Sequence, residues 1–292
     1  METQQVYPSS GLPFDTCLAK NISELNERVK SKKASLVVIE GKLGEGKTTL
    51  MVHLLDYINQ LNNLPPIDLE GCQMGMGGSD FQKKIRQCYD NSLPCIGYDE
   101  SGDFSRRQAL SKFNALMNRT FETFRVFKCL VIMALPTFAS LDNSLMDKGI
   151  PRLMLRVKNR TNHQGNYDGY SLYRMNLLRQ KMNKVNTIKQ FVYPKVHPNF
   201  VGHFLNLSPE RCALLDKVST ANKLETLRDS ELKMDGLIGV PEIAVKLDRT
   251  DVWVYKAIRE LHLKPDRVIH RKRYFNGNAF EAISRTLKQK RN

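Results

Sequence analysis

Lys47 and Thr48 close the run Gly41-Lys42-Leu43-Gly44-Glu45-Gly46-Lys47-Thr48, whose residue types and spacing suit the holding of phosphate. The run matches Gly-x-x-x-x-Gly-Lys-Thr at every fixed position, the P-loop pattern. Such a loop turns backbone N–H groups toward phosphate oxygens, while the lysine ammonium reaches the β and γ phosphates. The Thr48 hydroxyl would sit on Mg²⁺. The expected nucleotide contacts are Gly41, Gly44, Glu45, Gly46, Lys47, Thr48 and Thr49. A flexible glycine turn is the plain alternative.

A second group of chemistry-bearing residues ends the stretch Leu93-Pro94-Cys95-Ile96-Gly97-Tyr98-Asp99-Glu100. Adjacent carboxylates after a short apolar strand have the form of a Walker B segment. Asp99 would hold Mg²⁺ with Thr48, and Glu100 would polarise an attacking water. An acidic turn is the alternative. Thr137 follows the apolar run Phe127 to Leu135, at the place where related ATPases carry a polar sensor of the γ-phosphate; a helix-cap or loop role is at least as open. Lys47, Glu100 and Thr137 are therefore the expected catalytic set.

These residues need elements to position them. Ala34-Ser35-Leu36-Val37-Val38-Ile39-Glu40 is apolar and β-branched, which suits a buried parallel strand. Thr49 to Ile58 has the apolar spacing of an amphipathic helix, which puts a helix N-terminus under the phosphates. Asn62 to Pro66 breaks that helix. The glycine-rich stretch Gly71 to Gly78 lacks a Gly-Lys-Thr ending and reads as a mobile loop rather than a second phosphate site. A long helix is expected from Ser105 through Phe124, then a buried strand before Thr137. An alternating strand follows over Pro151 to Val157, with a hairpin candidate at Gly169 to Met175 after a Gly165-Asn166 turn.

Composition narrows the classes. The chain has 292 residues, 41% of them hydrophobic, with no apolar run of transmembrane length and no signal-peptide pattern at Met1 to Gln5. Its six cysteines form no Cys-x-x-Cys pair, which fits a reduced, cytoplasmic setting without a metal–thiolate site. The net charge of +15 is unevenly placed. Residues 1–150 balance at 17 basic and 17 acidic, whereas residues 151–204 hold ten basic and one acidic, and residues 236–292 hold 13 and six. Concentrated positive charge suits a polyanion, nucleic acid above all; a solvated basic surface is the alternative.

The order of P-loop, Asp-Glu strand end, helix, apolar sensor strand and Arg-bearing strand, over about residues 30–180, resembles the additional-strand, catalytic-glutamate branch of P-loop ATPases. Within it the chain resembles the HerA–FtsK superfamily of DNA-translocating ATPases and their Zot-like relatives in viruses and mobile elements. Many of those relatives end the sensor strand in Gln, where this chain has Leu135-Pro136-Thr137. The resemblance implies ATP with Mg²⁺ and a homo-oligomeric ring, a hexamer in the family. Each site would be completed by a neighbour's arginine, for which Arg119, Arg125, Arg152 and Arg156 are candidates.

Residues 205–235 read as a helical connector. Beyond it, Gly239 to Thr250 suggests a short helix with Pro241 in its first turn, and Asp251 to Leu261 a second helix. Arg267 to Phe275 reads as strand, basic turn and strand. This order, over about residues 236–285, resembles a winged helix-turn-helix of the excisionase and MerR kind. In that family the second helix enters the major groove and the wing touches the backbone. Carried over by position, Arg249, Thr250, Trp253, Lys256 and Arg259 would face DNA, with Arg271, Lys272 and Arg273 at the wing tip. A small helical domain for subunit contacts is the alternative.

The sequence therefore implies an α/β protein: a RecA-like P-loop domain with a mostly parallel sheet (1–204), a connector (205–235) and a winged-helix domain (236–292). The expected activity is an ATPase acting on double-stranded DNA, as a motor for translocation or packaging. An ATP-gated regulator or partitioning factor, or a Zot-type virion-assembly ATPase, is the alternative.

Overall fold

The computed structural model describes residues 11–99, 128–138, 141, 143–158, 164–183, 195–234, 237–269 and 272–289. Glu100, the expected helix of 105–124, Arg119, Arg125 and Arg271 lie outside these residues. The chain divides into two compact units, residues 1–222 and 223–292.

The first unit is a mixed α/β layer structure. It runs α1 (Thr16–Lys30), β1 (Leu36–Glu40), α2 (Lys47–Leu61), β2 (Met74–Met76), α3 (Gly78–Asp90), β3 (Cys95–Asp99) and β4 (Leu130–Leu135). It continues with α4 (Asn143–Asp147), β5 (Pro151–Lys158), β6 (Gln164–Ser171), α5 (Leu172–Asn183), β7 (Phe200–Leu205) and the first half of α6 (Pro209–Met234), within which the division between the units falls. The seven strands lie in the order β2-β3-β4-β1-β5-β6-β7. The first five of that order are parallel; β6 adds antiparallel to β5, and β7 adds antiparallel to β6.

Alternation along the central strands decides which layer each side chain joins. Val37 and Ile39 of β1, Ile132 and Ala134 of β4, and Leu153, Leu155 and Val157 of β5 face one core with Leu18, Ile22, Leu50 and Leu54. Leu36, Val38, Val131, Met133, Leu135 and Met154 face the opposite core with Phe81, Leu145, Met175 and Leu178. With both faces covered by helices, the strands need no polar face, which is why they read as unbroken apolar runs.

Three sequence expectations change here. Gly71 to Gly78 is no loose loop: Gln73 to Gly77 is buried, β2 pairs parallel with β3, and α3 starts directly after it. A side chain at Gly75 would place its Cβ 2.8 Å from the Phe81 Cα, so the glycine admits close packing of α3 on β2. Gly165-Asn166 is not a turn but lies inside β6, where the Phe204 ring covers Gly165 and the Phe200 ring covers Gly169. Leu172 to Met175, expected as hairpin, opens α5 instead. The first half of α6 belongs to the first core, through Cys212, Leu214, Leu215 and Val218.

In the second unit, β8 (Ile238–Gly239), α7 (Val240–Lys246), α8 (Asp251–Glu260), β9 (Arg267–Ile269), β10 (Lys272–Phe275) and α9 (Gly277–Gln289) follow the end of α6. The sheet order is β8-β10-β9, antiparallel throughout. Val240, Ile243, Ala244, Val254, Ala257, Ile258, Phe275 and Ile283 form its core. Thr250 caps α8, its side chain accepting the Trp253 N–H at 3.3 Å.

One buried titratable group gives the first unit a pH-dependent stability. His53 of α2 donates Nε2–H to the Leu205 carbonyl at 2.8 Å, and burial lowers its pKa to about 4. The unfolded chain takes up this proton near the usual 6.5 and the folded chain resists it, so stability is full above pH 6.5 and falls as pH drops toward 4. Unfolding titrations at pH 7 and pH 4.5 should differ by on the order of 2–3 kcal/mol from this group. His53→Gln should flatten that part of the profile.

Candidate functional site

The loop between β1 and α2 wraps tightly. Gly44 and Gly46 adopt φ of +83° and +90°, a left-handed backbone that a glycine takes without strain. Gly46 is the N-cap of α2, so the loop's amides and the helix N-terminus converge at one mouth. A Cβ at Gly41 would lie 2.7 Å from the Val157 carbonyl oxygen, so β5 leaves no room for a side chain there. Lys47 donates Nζ protons to the carbonyls of Gly41 and Lys42, both at 2.8 Å. The Glu45 carboxylate accepts the Lys42 N–H at 2.8 Å. One loop amide thus already faces an anionic oxygen, the kind of group that a phosphate would present.

Asp99 ends β3, is 4% exposed, and accepts a hydrogen bond from the Thr48 hydroxyl at 2.7 Å. Fifty-one residues apart in sequence, these two are brought together by the way α2 lies on β3. Met51 and Leu55 sit on the same side of α2 as Thr48, and Gly97 sits on the same side of β3 as Asp99. A Cβ at Gly97 would be 2.9 Å from both the Leu55 Cδ1 and the Met51 Sδ. Further along, Asn59 and Cys95 continue the contact through a 3.6 Å Sγ–Oδ1 bond. The helix therefore runs flat along the strand, and its first turn ends at Asp99.

On the other side of Asp99 stands β4, with Ala134 in register beside it. Thr137 lies two residues beyond the end of β4, half-buried, and the next residue is anchored: the Phe138 N–H donates to the Glu40 carboxylate at 2.6 Å. Glu40 also accepts from Arg156 Nε at 2.6 Å, and the Arg156 guanidinium stands 5.1 Å from the Tyr170 ring centre. Arg156, a candidate to reach a neighbouring subunit, is thus engaged within its own chain. Sequence reading passed over Glu40 and Gly97. The available signals were a lone carboxylate closing an apolar strand and a glycine in the middle of another.

Loop, lysine, Thr48 and Asp99 fit a nucleotide with Mg²⁺: amides and an ammonium for phosphate, and a hydroxyl and a carboxylate for the cation. Glu100 lies outside the described residues. Of the positions expected to meet DNA, Arg249, Thr250, Lys256, Arg259 and Arg273 are exposed. Trp253 is half-buried and packs against the core of its own unit, the second. Lys272 starts β10, next to the hairpin end. Among the described residues, no helix is long and apolar enough to cross a membrane.

No protein-family model matches the chain, and no curated protein matches it. Solved structures with some likeness include PCH-2 of C. elegans, with 16% identity, a TM-score of 0.34 and coverage of 62% of this chain and 49% of that one. Another is the N-terminal domain of zonular occludens toxin from Neisseria meningitidis, with 11% identity, a TM-score of 0.27 and coverage of 47% and 84%. A third is the flagellar accessory protein FlaH of Methanocaldococcus jannaschii, at 13%, 0.27, 63% and 96%. The chain spans about half the length of the C. elegans protein. These likenesses are weak, and the site rests on its own geometry.

Because the Thr48–Asp99 contact depends on a bare Gly97, a β-branched side chain there should lift α2 from β3. Gly97→Val is expected to cost about 1–3 kcal/mol in urea unfolding through overpacking. It should also weaken MgATP binding, measured by calorimetry, more than it weakens binding of ATP without Mg²⁺.

Proposed function

We propose that the chain is an ATPase that uses Mg²⁺ and acts on double-stranded DNA. The hydrogen bond between Thr48 and Asp99 supports this most directly, since it places a first-turn hydroxyl and a strand-end carboxylate together at the mouth of a phosphate loop. Lys47 exchanges its two loop carbonyls for phosphate oxygens. Thr48 and Asp99 would hold the cation, which would supply positive charge to offset that of the phosphates. Glu100, next in sequence, orients the water for in-line attack, and Thr137 contacts the γ-phosphate.

The second unit is read as a winged helix. Val252, Tyr255, Lys256 and Arg259 recur at helical spacing along the outer side of α8, opposite the buried Val254, Ala257 and Ile258. A helix with a basic and partly apolar outer face suits a major groove, where cations meet phosphate and base edges and apolar groups meet thymine methyls. Arg271, Lys272 and Arg273 at the β9–β10 hairpin suit the flanking backbone. The positive excess of residues 151–204 adds attraction that carries no sequence information. Hydrolysis would then move DNA, with subunits in a ring. The second reading, an ATP-gated DNA-binding switch, draws on the separateness of the second unit.

Lys47→Ala should abolish ATP binding in a filter or calorimetric assay. Glu100→Gln should keep binding and lose steady turnover; unimpaired turnover in that variant removes the assignment of the base. Lys256→Ala and Arg259→Ala should each weaken duplex binding and lower the slope of log K against log salt by about one. Displacement of a triplex strand with ATP marks the motor, whereas ATP-dependent binding without displacement marks the switch.

A further inference from the structure

We infer that Glu40 is a positioning residue for the ATPase reaction, holding the loop of Thr137 at a set place beside the phosphate loop. This rests on the ATPase reading above. Glu40 is the last residue of β1 and is covalently joined to Gly41, the first residue of the phosphate loop. In register it stands between Leu135 of β4 and Arg156 of β5. Its carboxylate reaches both ways: Oε2 accepts the Phe138 N–H and Oε1 accepts from Arg156 Nε, each at 2.6 Å. One side chain therefore ties the start of the phosphate loop to the segment that carries Thr137.

The energetics favour a role beyond stability. Glu40 is 1% exposed, and a buried ion pair of this kind repays little more than its desolvation, so apolar residues of like volume would hold the strands as well. What an apolar pair lacks is an acceptor for the Phe138 N–H. That hydrogen bond determines where the backbone after β4 goes, and Pro136 leaves the short path to Phe138 little latitude. Arg156 in turn holds the carboxylate in place, steadied over the Tyr170 ring at 5.1 Å. Glu40 lies on the opposite sheet face from Asp99, so it acts through Thr137 and not on the cation.

The test is a kinetic double-mutant cycle in the full chain, with Glu40→Gln, Thr137→Ala, the double variant and Lys47→Ala as the blank. Each single change should lower kcat about tenfold or more, with KM for ATP within about threefold, because displacement of a reacting contact by an ångström is costly. The double variant should be no slower than about twofold below the slower single variant. Glu40→Asp keeps the buried charge opposite Arg156 but draws the carboxylate back by one methylene. It provides the cycle if Glu40→Gln does not fold, and should show the same non-additive loss.

Wild-type kcat in the Glu40 variants, losses that multiply in the double variant, or a raised KM at unchanged kcat would overturn the inference and leave the ATPase reading standing. Wild-type turnover no faster than that of Lys47→Ala would overturn the reading itself, and the inference with it.

Discussion

The close approach of α2 to β3 is the constraint on which the candidate site depends. A phosphate loop at the end of β1 can collect amides and a lysine by local turns alone. It cannot supply a carboxylate, because the loop's own Glu45 is turned back onto the Lys42 amide. The carboxylate comes from β3, two strands away in the same sheet, and only because Gly97 leaves room for Met51 and Leu55 to rest on that strand. The 2.7 Å contact of Thr48 with Asp99 is the end point of that packing.

A second constraint works on the opposite face of the same sheet. β1 is the middle strand of the seven, with β4 on one side and β5 on the other. Its last side chain can therefore reach both the segment leaving β4 and a side chain of β5 itself. Glu40 does so, and the arginine it engages is one that family resemblance had offered to a neighbouring subunit. The site is thus assembled from two faces: Asp99 and Thr48 on the α2 side, and Glu40, Arg156 and Phe138 on the other.

The strands and helices that carry chemistry were legible because their patterns are strong. Leu36 to Glu40, Cys95 to Asp99 and Leu130 to Leu135 are apolar runs of strand length, and α2 and α8 show helical spacing with clear starts. Two of the three misreadings involve glycine. A glycine-rich stretch suggests looseness when nothing else is known. Gly75 and Gly165 are instead places where another part of the chain comes too near for a side chain, Phe81 in one case and the Phe204 ring in the other. The need for glycine there is created by a distant residue and leaves no local mark.

The sequence by itself determined the phosphate loop, the apolar strand that precedes it, the carboxylates that close another apolar run and the lopsided placement of charge. These are properties of consecutive residues, and covalent neighbours are enough to express them. The tertiary structure alone decided which carboxylate meets Thr48, which residue anchors the Thr137 segment and which arginine stays within its own chain. Those pairings join residues 51, 98 and 116 positions apart. They arise from strand order and helix packing, which bring distant groups within hydrogen-bond reach only after the layers have closed.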